Sequence, residues 1–397
     1  MTFVWFSFLV SITLLILVSR KNIWLGLLLA AFILGILNLS FADVVKLFFS
    51  TCTDYSILIL ALSVGIIPLI GGALERSGLI KNLVQSLNMR SKTFLFIAPA
   101  FMGMLSMPGG ALLSAPVIAS VGKGANKADY VAINIWFRHI LVMIYPLAGL
   151  LATTKMAQLD LYTEVLYLLP GFLLLTFLGY FYLLRPIADT TSLSGEHNWK
   201  NILKPICIIL TAPVIHLVSI VLFKNVMGEI PLIIGVLASL GLSFYFGKLP
   251  LKDIAPIVVK MRPWRFSLLI IGMFIFLNVF KASNVSAAIA AIAFSKTFLI
   301  VGIGIFLGFV TGRVQVPVSI LLPIFYARFG TAGMTPMVFA VMYFAVFIGY
   351  VVSPVHPCVS VTIEYFRSNL KEYYQKVFAP GIVAIASVTL FSIIFIG

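Results

Sequence analysis

The sequence predicts an all-α polytopic membrane protein built as two inverted repeats, each of five transmembrane helices plus one re-entrant helical hairpin. Composition carries the first part of that reading. Of 397 residues only 10% are charged and 61% are hydrophobic, and the mean hydropathy is +1.14. A soluble domain carries about a quarter charged residues, so a water-facing surface of this size is not available. At roughly 20 residues per crossing, the chain has room for about ten to twelve crossings and none for a separate soluble catalytic domain. The second observation is a pair of interrupted apolar segments, and the third is a set of landmarks around them that appears in the same order in both halves.

Apolar segments fall at 2–18, 23–39, 55–74, 93–121, 129–152, 163–184, 204–223, 230–247, 266–280, 297–328, 335–352 and 378–396. The first has no basic leading region and no small-residue cleavage site, so it is expected to stay as a membrane helix. Segment 93–121 is too long for a plain crossing and is broken by Met107-Pro108-Gly109-Gly110, and 297–328 is broken by Thr311-Gly312-Arg313 and Pro317. Such breaks free backbone groups that lipid cannot satisfy, so they must be buried in protein or line a wet cavity. Each is therefore expected to be a re-entrant hairpin.

Two halves are visible in the order of landmarks. Ser91-Lys92-Thr93-Phe94-Leu95 reappears as Ser295-Lys296-Thr297-Phe298-Leu299; Ser77-Gly78 has its counterpart in Ser283-Asn284, and Pro146 in Pro354. All three pairs are separated by roughly 200 residues, the signature of an internal duplication. The polar stretch around Thr190-Thr191-Ser192 lies between them. The expected organisation is a first repeat over 1–185, a linker over 186–203 and a second repeat over 204–397.

The +15 charge is read as topology, because Lys and Arg collect on cytoplasmic loops. No nucleic-acid-binding motif accompanies it, so nucleic acid is not an expected partner. If both broken segments return to the side they enter from, most basic residues share one side. Lys46, Lys155, Lys224, Lys281, Lys296 and Arg328 take the other, and Arg138 and Arg313 stay in the membrane. Full crossings at those segments would scatter the basic groups before and after residue 121 to opposite faces. Hairpins are preferred on this ground, with an inverted second half, both termini outside and a cytoplasmic linker.

A broken helix offers unpaired N–H groups to an anion and unpaired carbonyls to a cation, which is how carriers with inverted repeats build sites near the midplane. One tip comprises Ser106, Pro108, Gly109 and Gly110, with Ser114 beyond it; the other comprises Thr311, Gly312 and Gln315, followed by Ser319. Arg138 and Arg313 are the principal candidates, since an intramembrane guanidinium needs a partner or a task and holds carboxylate or phosphate bidentately. Pairing with a hairpin carbonyl is the structural alternative. His139 and His356 are candidate carriers of a coupling proton, against the plainer reading of packing residues; Ser114, Ser319 and Ser353 are candidate ligands of a coupling ion. His216 is expected to be structural. Asp54, Glu75, Asp129 and Glu364 sit at expected helix ends, which favours sodium as the coupling ion. Cys52, Cys207 and Cys358 are widely spaced among apolar residues and are expected to be core packing residues, with neither a disulfide nor a metal set.

With those features in hand, the chain resembles the ion transporter superfamily, the clan of gluconate, citrate, dicarboxylate and arsenite permeases. Within it the chain is similar to prokaryotic membrane proteins grouped as domain of unknown function 401. The likeness rests on Gly72-Ala73-Leu74-Glu75-Arg76-Ser77-Gly78, on Ser106-Met107-Pro108-Gly109-Gly110 and on the matching order of the second half. It implies a plasma-membrane protein, often a homodimer, with a scaffold and a transport domain whose two hairpins move by an elevator-like displacement. Sodium-dicarboxylate members carry Ser-Asn-Thr at both tips; Met107-Pro108-Gly109-Gly110 and Thr311-Gly312-Arg313 stand there instead, so their ligands do not transfer. The expected function is secondary transport of a small anionic solute across the lipid bilayer, without a cofactor. A polyprenyl-phosphate or lipid flippase is the runner-up. An intramembrane enzyme is disfavoured, because HExxH, GxSxG and paired midmembrane aspartates are missing.

Overall fold

The computed structural model describes residues 2–87, 89–105, 110–120, 125–147, 149–188, 198–223 and 226–397. Ser106, Met107, Pro108 and Gly109, and the centre of the linker, lie outside the described residues. The described chain is helical, with no strand.

The first half runs α1 (Thr2–Ser19), α2 (Ile23–Asn38), α3 (Phe41–Cys52), α4 (Tyr55–Arg76), α5 (Leu79–Ser86), α6 (Ser91–Met104), α7 (Gly110–Ala119), α8 (Lys127–Ile144), α9 (Gly149–Ala157) and α10 (Leu161–Gly179). The second runs α11 (Trp199–Leu222), α12 (Glu229–Gly247), α13 (Ile254–Met261), α14 (Trp264–Ala282), α15 (Val285–Ala290) and α16 (Gly304–Thr311), the last entered through a wide π-type turn at Phe298–Ile303. It ends with α17 (Gln315–Phe329), α18 (Pro336–Val351), α19 (Pro357–Phe366) and α20 (Leu370–Phe395). Every stretch expected to cross the membrane holds a helix. Among the described residues six helices are long and apolar enough to span a bilayer by themselves, and α1, α2, α17 and α18 are shorter apolar helices. The acids at helix ends have local duties. Asp54 accepts from the Ile57 amide at 3.1 Å, and Asp129 forms a reciprocal capping box with Asn126, each satisfying orphan N–H groups.

Packing divides the helices into two groups. α1, α2, α14, α4, α12 and α11 stand in a row, each against the next in that order. The row reads the same from both ends once the halves are exchanged: α1 on α2 matches α11 on α12, and α2 on α14 matches α12 on α4. Small residues let these backbones approach; a side chain at Gly235 would stand 2.9 Å from the Ala212 carbonyl oxygen. The second group is a bundle of α6–α10 with α16–α20. Here α6 on α8 answers α16 on α18, α7 on α19 answers α17 on α9, and α8 on α20 answers α18 on α10. The sequence landmarks fall at equivalent places, before α5 and α15, at the entry to α6 and to the turn before α16, and just after α8 and α18.

Both interrupted segments are breaks between helices. α6 ends at Met104 and α7 starts at Gly110; α16 ends at Thr311 and α17 starts at Gln315. The second break turns on Gly312, whose φ of +60° is readily adopted only by glycine. Two readings need correction. The apolar stretch 129–152 is not one helix: α8 stops at Ile144, two residues before Pro146, which cannot donate the next backbone bond. Cys52 and Cys207 are exposed, not core. Apolar neighbours mark a membrane helix without saying whether a given face meets protein or lipid, which is why sequence context misplaced them.

Candidate functional site

The site forms where α7 and α8 of the first half meet α19 and the α16–α17 break of the second. α8 carries Asn134 and Arg138 one turn apart on one face, as the i, i+4 spacing requires, and both look toward α7 and α19. Asn134 is fully buried; its amide donates to the Thr362 hydroxyl at 3.1 Å, while its side-chain oxygen has no partner among the described residues. Arg138 is 4% exposed. Its Nη1 donates to Ser114 Oγ at 3.3 Å, and its guanidinium also reaches the Cys358 thiol.

Arg313 comes from the other half. It follows Gly312, where a side chain would collide with the His356 amide nitrogen at 2.9 Å, so the break is seated directly on the loop leading into α19. The Thr311 hydroxyl donates to the Leu307 carbonyl at 2.7 Å and to the Arg313 carbonyl at 3.3 Å, closing the last turn of α16. Arg313 is half-buried, and its guanidinium shares Tyr350 and Cys358 with Arg138 as electrostatic neighbours. Among the described residues neither arginine has a carboxylate partner: the ion pairs are Arg76–Asp253, Lys155–Glu229, Lys260–Glu75 and Lys376–Asp129. Two cations thus converge in a buried setting without a matching acid.

An aromatic stack closes one side. The Tyr350 and His356 rings lie 4.2 Å apart, nearly parallel, and His139 meets them edge-on at 5.2 Å and 4.6 Å. His139 Nδ1 donates to the Ile135 carbonyl at 2.5 Å, since a carbonyl can only accept. His356 is 1% exposed and its Nδ1 has no hydrogen-bond partner. Close helix crossings hold the cluster. Gly103 on α6 lies under the Arg138 carbonyl, and Gly308 on α16 lies under the Val346 carbonyl, at equivalent points of the two halves.

The other candidates are distributed around this centre. Gly110 opens α7 and its carbonyl accepts from Ser114 at 3.5 Å. Gln315 opens α17 beside Gly149, the first residue of α9, and near the Tyr343 hydroxyl. Ser319 donates to the Gln315 carbonyl at 2.8 Å, and Ser353 to the Phe309 carbonyl at 2.5 Å. Ser114 and Ser319 bond within their own helices, whereas Ser353 ties the end of α18 to α16. His216 packs on Tyr162, whose hydroxyl meets its Nδ1 at 2.9 Å. Ser106, Pro108 and Gly109 lie outside the described residues.

Tyr350, Asn134 and Cys358 are members of the cluster that sequence reasoning did not select. The i, i+4 spacing of Asn134 and Arg138 is a signal that was open to it; nothing in the sequence places Tyr350 or Cys358 beside them. Buried acids were also missed. Glu229 pairs with Lys155 and accepts from Ser56 at 2.9 Å, and Glu164, 0% exposed, has no hydrogen-bond partner on either carboxyl oxygen among the described residues.

Fold and site together define a polytopic α-helical membrane protein with a buried, doubly cationic cluster at its helix breaks. The chain belongs to the family described as Protein of unknown function (DUF401), which it matches over residues 3–395. No curated protein shows significant similarity to it.

Proposed function

We propose that the protein is a secondary active transporter of a small anion such as an organic carboxylate, driven by a sodium or proton gradient in a prokaryotic cell membrane. The observation that carries this reading is the convergence of Arg138 and Arg313, from opposite halves, on one buried cluster with no acid to neutralise them among the described residues. Burying a guanidinium near the membrane centre costs about 3 kcal/mol even on lenient scales. An anionic solute held by both offsets that cost and leaves it behind on release. The first turns of α7 and α19 border the cluster through Ala111 and Cys358, α17 opens two residues after Arg313, and the positive dipole ends of these helices favour the same sign of ligand.

In this reading the breaks within 93–121 and 297–328 are tips of re-entrant hairpins, and the exchanged packing of the two halves reflects inverted repeats of five crossings each. The row of six helices is the scaffold of a homodimer, and the bundle with its hairpins is displaced against it in an elevator-like motion. The likeness to the ion transporter superfamily supports the same division.

The test is uptake into proteoliposomes from a panel of carboxylates and phosphates, under a sodium gradient, a proton gradient or neither, with ligand-induced thermal stabilisation as a parallel readout. Arg313→Ala is expected to lose about 2 kcal/mol of solute binding, roughly thirtyfold in affinity. Arg313→Lys recovers part of it, because an ammonium supplies charge but not the bidentate fork. Undiminished concentrative uptake by Arg313→Ala would remove the central residue from the assignment, and movement of a polyprenyl phosphate in place of soluble anions would replace carrier by flippase.

A further inference from the structure

The guanidiniums do not use every polar group in the cluster. The cluster also brings together three atoms able to ligate a metal, one ring nitrogen each from His139 and His356 and the sulfur of Cys358, all within 4.8 Å of one another. We propose that these three residues form a binding site for a soft monovalent transition-metal ion, Cu(I).

Three features support a built site. The His139 ring is fixed by its Nδ1 donating to the Ile135 carbonyl, which leaves Nε2 with a free lone pair; a histidine anchored to a backbone carbonyl through its other nitrogen is the usual arrangement of a metal ligand. The His356 ring is held by stacking on Tyr350 at 4.2 Å, and its Nδ1, on a ring 1% exposed, has no hydrogen-bond partner. That is a buried polar atom with nothing to bond, a costly condition unless something binds there. The Cys358 thiol is reached by the Arg138 guanidinium, with Arg313 nearby. The sulfur stands within reach of both imidazoles, and a metal ion that binds there displaces the thiol proton, which leaves to solvent.

Geometry and charge choose the ion. A trigonal ion with bonds of roughly 2.0 Å to nitrogen and 2.3 Å to sulfur needs its donors about 3.5–3.8 Å apart, so side-chain closure by roughly 1 Å completes the site. Two imidazoles and a thiolate suit copper and zinc, and exclude the hard cations that want oxygen. Between copper and zinc the arginines decide. Cu(I) with one thiolate is neutral, whereas Zn(II) with one thiolate adds a positive charge beside two guanidiniums where water is scarce.

The inference goes beyond the anion reading and does not depend on it. It assigns the two histidines to an ion in place of the coupling proton, since one lone pair cannot hold both. Metal binding is measured without any transported solute, so the two readings fail separately.

The experiment uses the full-length protein in detergent with Cys52→Ser and Cys207→Ser, which removes the two exposed thiols. Cu(I), kept reduced with ascorbate, is titrated against bicinchoninate. One ion per chain is expected, with affinity lowered more than roughly a hundredfold by Cys358→Ser and comparably by His356→Ala. X-ray absorption on the Cu(I)-loaded parent should show a first shell of nitrogen and sulfur with imidazole outer-shell scattering, and needs no further variant to fold. A shell of sulfur alone or of nitrogen and oxygen alone, undiminished binding in both variants, or tighter Zn(II) than Cu(I) binding at this site would each overturn the proposal.

Discussion

Arg138 and Glu164 show opposite ways for a membrane protein to bury a charge-bearing side chain. Arg138 is hydrogen-bonded by Ser114 and shared with Cys358 and Tyr350, and Arg313 stands beside the same neighbours. Glu164 lies in the first turn of α10 with both oxygens unsatisfied and no exposed surface. A buried carboxyl without donors destabilises unless it has a task. Glu164→Gln keeps the shape and is expected to raise stability by about 1 kcal/mol, seen as a higher thermal unfolding midpoint in detergent with the proposed uptake unchanged. A lower midpoint together with lost gradient-driven uptake would instead make Glu164 part of the coupling machinery.

At the level of helices, the cluster depends on two crossings in which backbone meets backbone. A side chain at Gly308 would run into the Val346 carbonyl oxygen and stand 3.0 Å from the Tyr350 nitrogen, and Gly349 faces the Ile305 carbonyl in return. Backbone cannot move aside as the end of a flexible side chain does. Gly308→Ala is therefore expected to cost about 2 kcal/mol and to loosen the Tyr350–His356 stack. Gly241 on α12 is the control: nothing lies within 4 Å of its added Cβ, so Gly241→Ala should gain up to about 1 kcal/mol from helix propensity. Equal effects of both substitutions on the unfolding midpoint would show that the α16–α18 crossing is not tightly packed. Ion pairs matter less at this scale. Arg76–Asp253 and Lys260–Glu75 tie α4 to the α13 region, but Arg76 and Lys260 are largely exposed, and such pairs contribute little.

For the whole molecule, the proposed inverted arrangement makes a sidedness prediction. A protease site inserted at residues 190–197 should be cut only from the cytoplasmic face, in inverted vesicles. Tags at the two ends should be reached only from outside. Cleavage of the linker and accessibility of both tags from the same face would contradict an odd number of crossings per half. The uneven distribution of Lys and Arg argues for the first outcome, because translocating them is unfavourable.

Much of the element plan was legible from residues. Apolar runs of membrane length, interrupted at Gly312 and before Gly110, locate the helices and their breaks, since lipid permits few alternatives to hydrogen-bonded helix. The recurrence of Ser91-Lys92-Thr93-Phe94-Leu95 as Ser295-Lys296-Thr297-Phe298-Leu299 is the sequence's argument for two halves, and rarity alone singled out Arg138 and Arg313 as charges in apolar surroundings. The rest depended on contacts between residues far apart in the sequence. That Arg138 meets Cys358, that His139 faces His356 and that the row interleaves α14 and α4 at its centre follow from which helix faces pack together. Within a membrane an apolar face suits lipid and protein alike, so hydropathy fixed the helices, and only tertiary packing decided their partners and thereby assembled the site.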